Sequence, residues 1–255
     1  MLLDEPRNVV ARAAHLDAVD VQTLLGRIVV DDGRRITYAQ HLRRVGKLAT
    51  ALRDRYGVQP GDRVAILAAN CPEWIETFWA TVSLGAIAVG LNGWWVRDEI
   101  LYGLEDSEPK LLVGDPRRLA RIAGASLPRV DGVEVRVVEI GRDFDALWNH
   151  DGEVALPDAP IAEDDAATIL YTSGTTARPK GVQMTHRNLW VNAAVFGWQT
   201  GVNDRDVYLH TLPMFHCNGW GMPYAHTGMG GTQVVIRKVD GAEILRRIEA
   251  HGVTQ

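Results

Sequence analysis

The sequence predicts an α/β fold in which helices pack on mixed or parallel sheets. Three observations carry this. Short apolar runs of strand length alternate with helical segments of one-sided hydrophobicity. Gly and Pro punctuate the alternation at close intervals. With 255 residues and 46% hydrophobic content, the chain can bury a substantial core as one large domain or two lobes.

In chain order, Arg27 to Asp31 and Arg34 to Thr37 alternate around Asp32-Gly33, a hairpin signal. Thr37 with Gln40 three residues on forms a capping box, opening a helix whose Leu42, Val45, Ala49, Leu52 and Tyr56 share one face before Gly57. Pro60-Gly61 turns into a buried strand at 63–68, and Asn70 with Pro72 starts the next helix, through Trp74, Ile75, Phe78, Trp79 and Val82 to Gly85. Strand 86–91, helix 98–106 and strand 110–113 continue the alternation. Weaker signals give a helix from Pro116 to about Gly124, a strand over 133–140 and a short helix at 144–148.

Residues 1–150 form a first lobe on this reading. Asp151 to Asp165 changes character, with six acidic residues and Pro157 and Pro160, and reads as a solvated connector. Residues 166–255 begin a second lobe. There, strands 207–212 and 232–236 and a helix at 242–250 follow, and a new strand starts at Val253.

The second lobe opens with the most informative stretch, Thr168 to Thr185. Two short apolar runs, 167–171 and 182–184, flank a loop in which Thr172, Ser173, Thr175 and Thr176 offer four hydroxyls. A polyphosphate needs many donors converging on a small volume, and backbone N–H groups add to these hydroxyls. Gly174 permits close approach of an anion, Pro179 stiffens the chain, and Lys180 supplies a mobile positive charge. Pro179 before the lysine and Gly181 after it exclude the Walker A pattern. A ligand-free surface turn is the competing reading, but turns rarely join so many hydroxyl and glycine positions to Pro-Lys-Gly. Thr185 caps the helix that follows, with its body over 188–199.

A second constellation, Pro213 to Tyr224, mixes large rings, glycines and His216 just past a strand end, where ligand crevices of α/β proteins lie. A packed core turn with a hydrogen-bonded histidine is its alternative. His210, His216, His226 and Cys217 lack the spacings of a zinc site. Cys217 beside His216 suggests a thiol nucleophile, but adjacent strand residues point to opposite faces. Ser173 lacks the Gly-x-Ser-x-Gly elbow of a hydrolase.

Composition excludes other classes. A net charge of -5 gives no basic footprint for nucleic acid. No run of 18 apolar residues is present, and Met1 to Arg7 lacks a signal-peptide core, so a cytoplasmic location is expected. The two cysteines, Cys71 and Cys217, form no metal or redox pattern and read as buried small hydrophobes. Eight tryptophans suggest apolar pockets and packing.

The run Tyr171 to Gly181 resembles the signature loop of the adenylate-forming superfamily: AMP-forming acyl-CoA synthetases, luciferases and peptide-synthetase adenylation domains. The resemblance extends over nearly the whole chain. Pro-Met-Phe-His followed by Asn, Gly and Trp, then Pro-Tyr, is similar to a motif of bacterial medium- and long-chain fatty acid–CoA ligases. It implies the amino-terminal part of that family's large domain.

The activity implied is attack of a carboxylate on the α-phosphate of ATP, departure of pyrophosphate and transfer of the acyl group to coenzyme A. Thr172, Ser173, Gly174, Thr175, Thr176 and Lys180 would hold the β- and γ-phosphates, and Thr172 matches a position that contacts magnesium. His216, Gly219 and Trp220 would line the substrate pocket, His216 at its carboxylate end and Trp220 resembling a gate to the acyl tunnel. Two departures stand out: Ala177 at a position commonly glycine, and Asn92-Gly93-Trp94-Trp95 where relatives often carry Asn-Pro.

The resemblance further implies that the catalytic lysine and the adenine and ribose contacts lie beyond Gln255. This chain is therefore expected to be an inactive or nearly inactive piece, with exposed sheet edges that favour a homo-oligomer. Ligases for a steroid side-chain or aromatic acid, or for loading a carrier protein, are the alternatives. A non-catalytic nucleotide- or acyl-binding module is a third.

Overall fold

The computed structural model describes residues 27–31, 33–151, 154–173 and 178–255. Two sheets organise them. The first has six strands in the order β10-β9-β4-β3-β5-β8. These are β3 (Arg63–Leu67), β4 (Ile87–Gly90), β5 (Leu111–Gly114), β8 (Arg136–Glu139), β9 (Ala166–Thr172) and β10 (Lys180–Thr185). All its neighbours are parallel except the β9/β10 edge pair. The second sheet, in the order β11-β12-β1-β2, joins β1 (Arg27–Asp31) and β2 (Arg34–Thr37) to β11 (Val207–His210) and β12 (Thr232–Val235).

Alternation in the six-stranded sheet places two helical layers. Val64 and Ile66 of β3 face α1 (Tyr38–Tyr56) and α2 (Pro72–Ser83), while Ala65 and Leu67 face α3 (Arg97–Ser107). Burial on both sides explains why these strands read as continuous apolar runs. Trp74, Phe78, Leu48 and Leu52 are fully enclosed on one side, Ile100 and Leu104 on the other. Each such side chain contributes about 1.5–3 kcal/mol of transfer free energy.

Local signals act as the sequence requires. Thr37 and Gln40 make both halves of the capping box, and Gly57 closes α1 in the left-handed region at φ 67°. Thr185 caps α6 (His186–Thr200) in the same manner with Asn188. At α2 the cap is Cys71 with Pro72 behind it, while Asn70 turns its side chain elsewhere. The expected helix after Pro116 is one turn, α4 (Pro116–Leu119), continued by a 3-10 turn, and α5 is Asp145–Trp148.

The expected strand over 133–140 divides. Asp131 and Gly132 both take positive φ, folding β7 (Val133–Glu134) back on β6 (Arg129–Val130), and only Arg136–Glu139 joins β5.

The acidic connector does not separate the sheets. Strands β9 and β10, after it, complete the six-stranded sheet, and β1 and β2, before it, pair with β12. In the second lobe α7 (Met222–Met229) packs against α6, and α8 (Gly241–His251) precedes the terminal residues. In place of a new strand at Val253, Thr254 and Gln255 exchange backbone hydrogen bonds with Val207 and Leu209 beside β11. Among the described residues no helix is long and apolar enough to cross a membrane.

Candidate active site

The parallel strands β3, β4 and β9 end on the same side of the sheet, and the site is assembled there. Thr172, the last residue of β9, pairs directly with Lys180, the first of β10. Directly opposed residues of an antiparallel pair project to the same face with Cβ atoms about 5 Å apart. The hydroxyl and the ammonium therefore stand side by side at the base of the loop, both exposed, as is Ser173. Gly174, Thr175, Thr176 and the departure Ala177 lie outside the described residues, as does Met1–Arg7.

The base of this loop is braced by α3. Tyr171 Oη donates to Asp106 Oδ2 at 2.7 Å, and Tyr102 Oη donates to the Pro179 carbonyl at 3.1 Å. Burial, reinforced by the Asp106 carboxylate, pushes the Tyr171 phenol well above its ordinary range, so it stays a donor. The Arg178 guanidinium lies over the Tyr102 ring at 5.1 Å. Gly181 is needed for crossing space, because a Cβ there would sit 2.9 Å from Ile169 Cγ2.

The second constellation reaches the same edge. Phe215 lays its backbone against Gly90 at the end of β4, where an added Cβ would meet the Phe215 carbonyl at 3.3 Å. Gly90 pairs with Leu170, one strand over and two residues short of Thr172, about 8 Å in strand geometry. His216, next in the chain, is exposed past the end of β4, the strand beside β9.

Asn70, just past β3, fixes this approach. Its Nδ2 donates to the carbonyls of His210 and Leu212 at 3.1 and 2.8 Å, and its Oδ1 accepts from Met214 N–H at 2.8 Å. The sequence marked Asn70 only as a helix-start signal, since its partners lie some 140 residues away.

Cys217 to Gly221 follow as a left-handed turn: φ is 49°, 47°, 60°, 61° and 75° in succession. Three of these residues are not glycine, and each pays about 1–2 kcal/mol for that conformation. The turn buries Asn218 and Gly219 and leaves Trp220 exposed, its ring meeting Phe196 edge-on at 6.1 Å. Cys217 departs from the expected burial. Because the turn reverses the strand-like alternation, its Sγ is exposed and lies 3.9 Å from His216 Nε2. Cys71 is buried.

His210 and His226 do not join the site. Both are buried, His210 Nε2 against Gln233 Oε1 at 2.8 Å and His226 stacked on Tyr208 at 4.9 Å, and burial holds their pKa values down at about 3 and about 4. Among the described residues no three His, Cys, Asp or Glu side chains are grouped to hold a metal.

The unusual Asn92–Trp95 segment forms the third wall. Asn92 Oδ1 accepts from Trp94 N–H, Arg118 and Arg121 donate to the Gly93 carbonyl at 3.1 and 2.9 Å, and Trp94, 70% exposed, meets the Phe215 ring at 5.1 Å. A side chain at position 93 would strike both Arg118 and Phe215.

A hydroxyl-bearing strand–loop–strand at the carboxyl edge of a parallel sheet, with Phe215 laid against the end of the neighbouring strand, marks the place where ligand crevices of α/β proteins lie. The chain belongs to the AMP-binding enzyme family, whose model matches residues 17–255. It is 34% identical over 223 residues to a feruloyl-CoA synthase of an Amycolatopsis species, covering 87% of this chain and 43% of that protein. It is 33% identical to the long-chain-fatty-acid–CoA ligase of Thermus thermophilus, covering 99% and 48%. Among solved structures, ATP-bound MatB from Rhodopseudomonas palustris superposes with a TM-score of 0.80 at 29% identity, covering 95% of this chain and 47% of that one. A Mycobacterium tuberculosis fatty acyl CoA synthetase gives 0.83 at 25%, covering 96% and 48%. The chain thus spans less than half the length of the curated relatives it matches.

Proposed function

We propose that the chain supplies the phosphate-binding and acid-binding part of an AMP-forming carboxylate–CoA ligase acting on a fatty acid. The observation that carries this reading is the pairing of Thr172 with Lys180 at the same sheet edge that receives Phe215 and His216. Thr172, Ser173, Gly174, Thr175, Thr176 and Lys180 hold the β- and γ-phosphates of ATP. Such chemistry is mostly positioning and charge stabilisation, and Lys180 offsets charge gathering on departing pyrophosphate. Thr172 offers one hydroxyl to the magnesium that accompanies the nucleotide; one exposed hydroxyl suits a metal that arrives with ATP and not a resident ion.

His216 faces the carboxylate, Gly219 belongs to the pocket wall, and Trp220, exposed and held in a strained turn, borders the acyl path. Coenzyme A takes the acyl group in the second step. A second reading, an aromatic acid as substrate, is favoured by the exposed Trp94 ring set against Phe215 beside His216. The protein is proposed to work in the cytoplasm.

Carboxylate-dependent ATP–pyrophosphate exchange tests both readings, with the chain fused to the second half of the Thermus ligase and supplied with fatty acids of graded length and with ferulate. The expected result is exchange with fatty acids that drops at least tenfold in Lys180→Ala. Exchange with ferulate alone establishes the second reading, and a folded fusion whose exchange ignores Lys180→Ala and Thr172→Ala overturns the site.

A further inference from the structure

Thr172 and Lys180 stand at the end of an edge hairpin. β10 is the edge strand of the six-stranded sheet, paired to β9 on one side, and its first four residues are exposed. The open end of such a pair is where a ladder frays first. A hydroxyl and a cation that must meet phosphate oxygens there need support beyond the ladder itself.

One turn of α3 supplies that support, one residue before each of the two. Tyr102 and Asp106, four residues apart, share a flank of the helix beside the face that buries Ile100 and Leu104. Tyr102 Oη lies 3.1 Å from the Pro179 carbonyl and 3.5 Å from Asp106 Oδ1, so its single proton goes to Pro179. Asp106 Oδ2 is left to accept from Tyr171 Oη at 2.7 Å, closer than that hydroxyl's 3.2 Å approach to the Gly103 carbonyl. Tyr171 directly precedes Thr172, and Pro179 directly precedes Lys180. The Pro179 carbonyl shares one planar peptide unit with the nitrogen and Cα of Lys180. Fixing that oxygen therefore fixes the direction in which the lysine leaves the chain.

Two ring contacts complete the clamp. The Arg178 guanidinium lies over the Tyr102 ring at 5.1 Å, and the Trp95 ring meets Tyr171 edge-on at 5.1 Å. Gly103 makes room for the second, because a Cβ there would come within 2.6 Å of Trp95. Asp106 is exposed, and Tyr102 and Tyr171 are half-buried, so their polar groups add little to the stability of the core. A carboxylate this near the phosphate loop also opposes anion binding by its charge. Charge alone thus predicts that removing Asp106 tightens binding of a polyphosphate.

We infer that Tyr102, Asp106 and Tyr171 are positioning residues for the nucleotide: from α3 they hold both legs of the phosphate loop, so that Thr172 and Lys180 are set for the phosphates of ATP. The inference rests on the proposed phosphate-binding role of Thr172 and Lys180 and adds to it residues that touch no phosphate.

Calorimetric titration of the 255-residue chain with magnesium ATP tests it. Lys180→Ala is expected to weaken binding by about tenfold or more, and Tyr102→Phe, which removes one hydroxyl, by about fivefold. Because Tyr102 acts through Lys180, Tyr102→Phe should cost less than about twofold in a Lys180→Ala background. Asp106→Ala should also weaken binding, against the sign of its charge. Asp106→Asn, which keeps an acceptor for Tyr171, should restore the parent affinity or exceed it. Thermal midpoints should stay within about 2 °C of the parent's, and Tyr102→Phe decides where Asp106→Ala shifts further. Binding that needs Lys180 but is unchanged in Tyr102→Phe, or tightened by Asp106→Ala, overturns the inference alone. So does a Tyr102→Phe loss that persists in full without Lys180. Absence of ATP binding by the unmodified chain, or binding indifferent to both Lys180→Ala and Thr172→Ala, overturns the phosphate reading and the inference together.

Discussion

Asn70 shows how much a single buried side chain decides. Its three hydrogen bonds tie the end of β3 to the segment that carries Met214, Phe215 and His216. Asn70→Ala leaves the Met214 N–H without its acceptor in a buried position, and an orphaned buried group costs about 1–3 kcal/mol. The expected outcome is a loss of about 2–3 kcal/mol by urea denaturation, with faster exchange of the Met214 amide; an unchanged midpoint would mean the segment is held by other contacts. At Cys217 the opposite holds. It is exposed at φ 49° and pays for its backbone, so Cys217→Gly should raise stability by up to about 1 kcal/mol in the same assay.

Helix α2 carries the least expected element of the core, the fully enclosed Glu76. Its Oε1 meets Arg44 of α1 at 3.3 Å, and Arg44 in turn lies over the Trp148 ring of α5 at 4.5 Å. Burial outweighs Arg44, with Glu73 adding to the rise, and the carboxyl pKa is pushed up to about 7. A pKa raised in the folded state gives stability that is complete below the unfolded value near 4.5 and lost as pH climbs through 7. The loss across that window is at most about 3 kcal/mol. Glu76→Gln is therefore expected to remove this loss, so that its thermal midpoint gains on that of the parent protein as pH rises from 5 to 8; a parallel pH dependence of the two proteins would remove Glu76 as a source.

Elements with local causes were legible in the sequence: the capping boxes at Thr37 and Thr185, the glycine stop of α1 and the strand–loop–strand around the phosphate segment. Helix α7 was not, because Gly221, Pro223, Thr227 and Gly228 weaken its helical pattern and packing against α6 supplies what propensity lacks. Nor was Glu76, whose ion pair joins two helices 32 residues apart.

Among the described residues of the whole molecule four imidazoles are buried, and burial lowers the pKa of each; at His186 Asp165 opposes the shift, and the other three are held far down. Burial is the main cause and depresses His41 to about 3, His210 to about 3 and His226 to about 4, with Arg44 facing His41, His226 facing His210 and Asp206 partly opposing the shift at His226. Their folded pKa values lie below the unfolded 6.5, so the stability they give is complete above 6.5 and is lost as pH falls. Near pH 5 the unfolded chain holds three more imidazole protons than the folded one, while folded Glu76 holds roughly one more than unfolded Glu76. These four groups together take up roughly two protons on unfolding, which makes stability fall by roughly 3 kcal/mol per pH unit there, and His186 acts in the same direction. His210 and His226 both sit between the four-stranded sheet and α7, against Tyr208. Acid is therefore expected to loosen the second lobe, where two of the three charges must form, before the six-stranded sheet. Hydrogen exchange at pH 5 should show β11 and β12 losing protection ahead of β3 and β4, and His226→Phe should lower the proton uptake by one. Simultaneous loss in both sheets would show that the strands shared across the acidic connector, β1 and β2 with β12 and β9 with β4, bind the described chain into one cooperative unit.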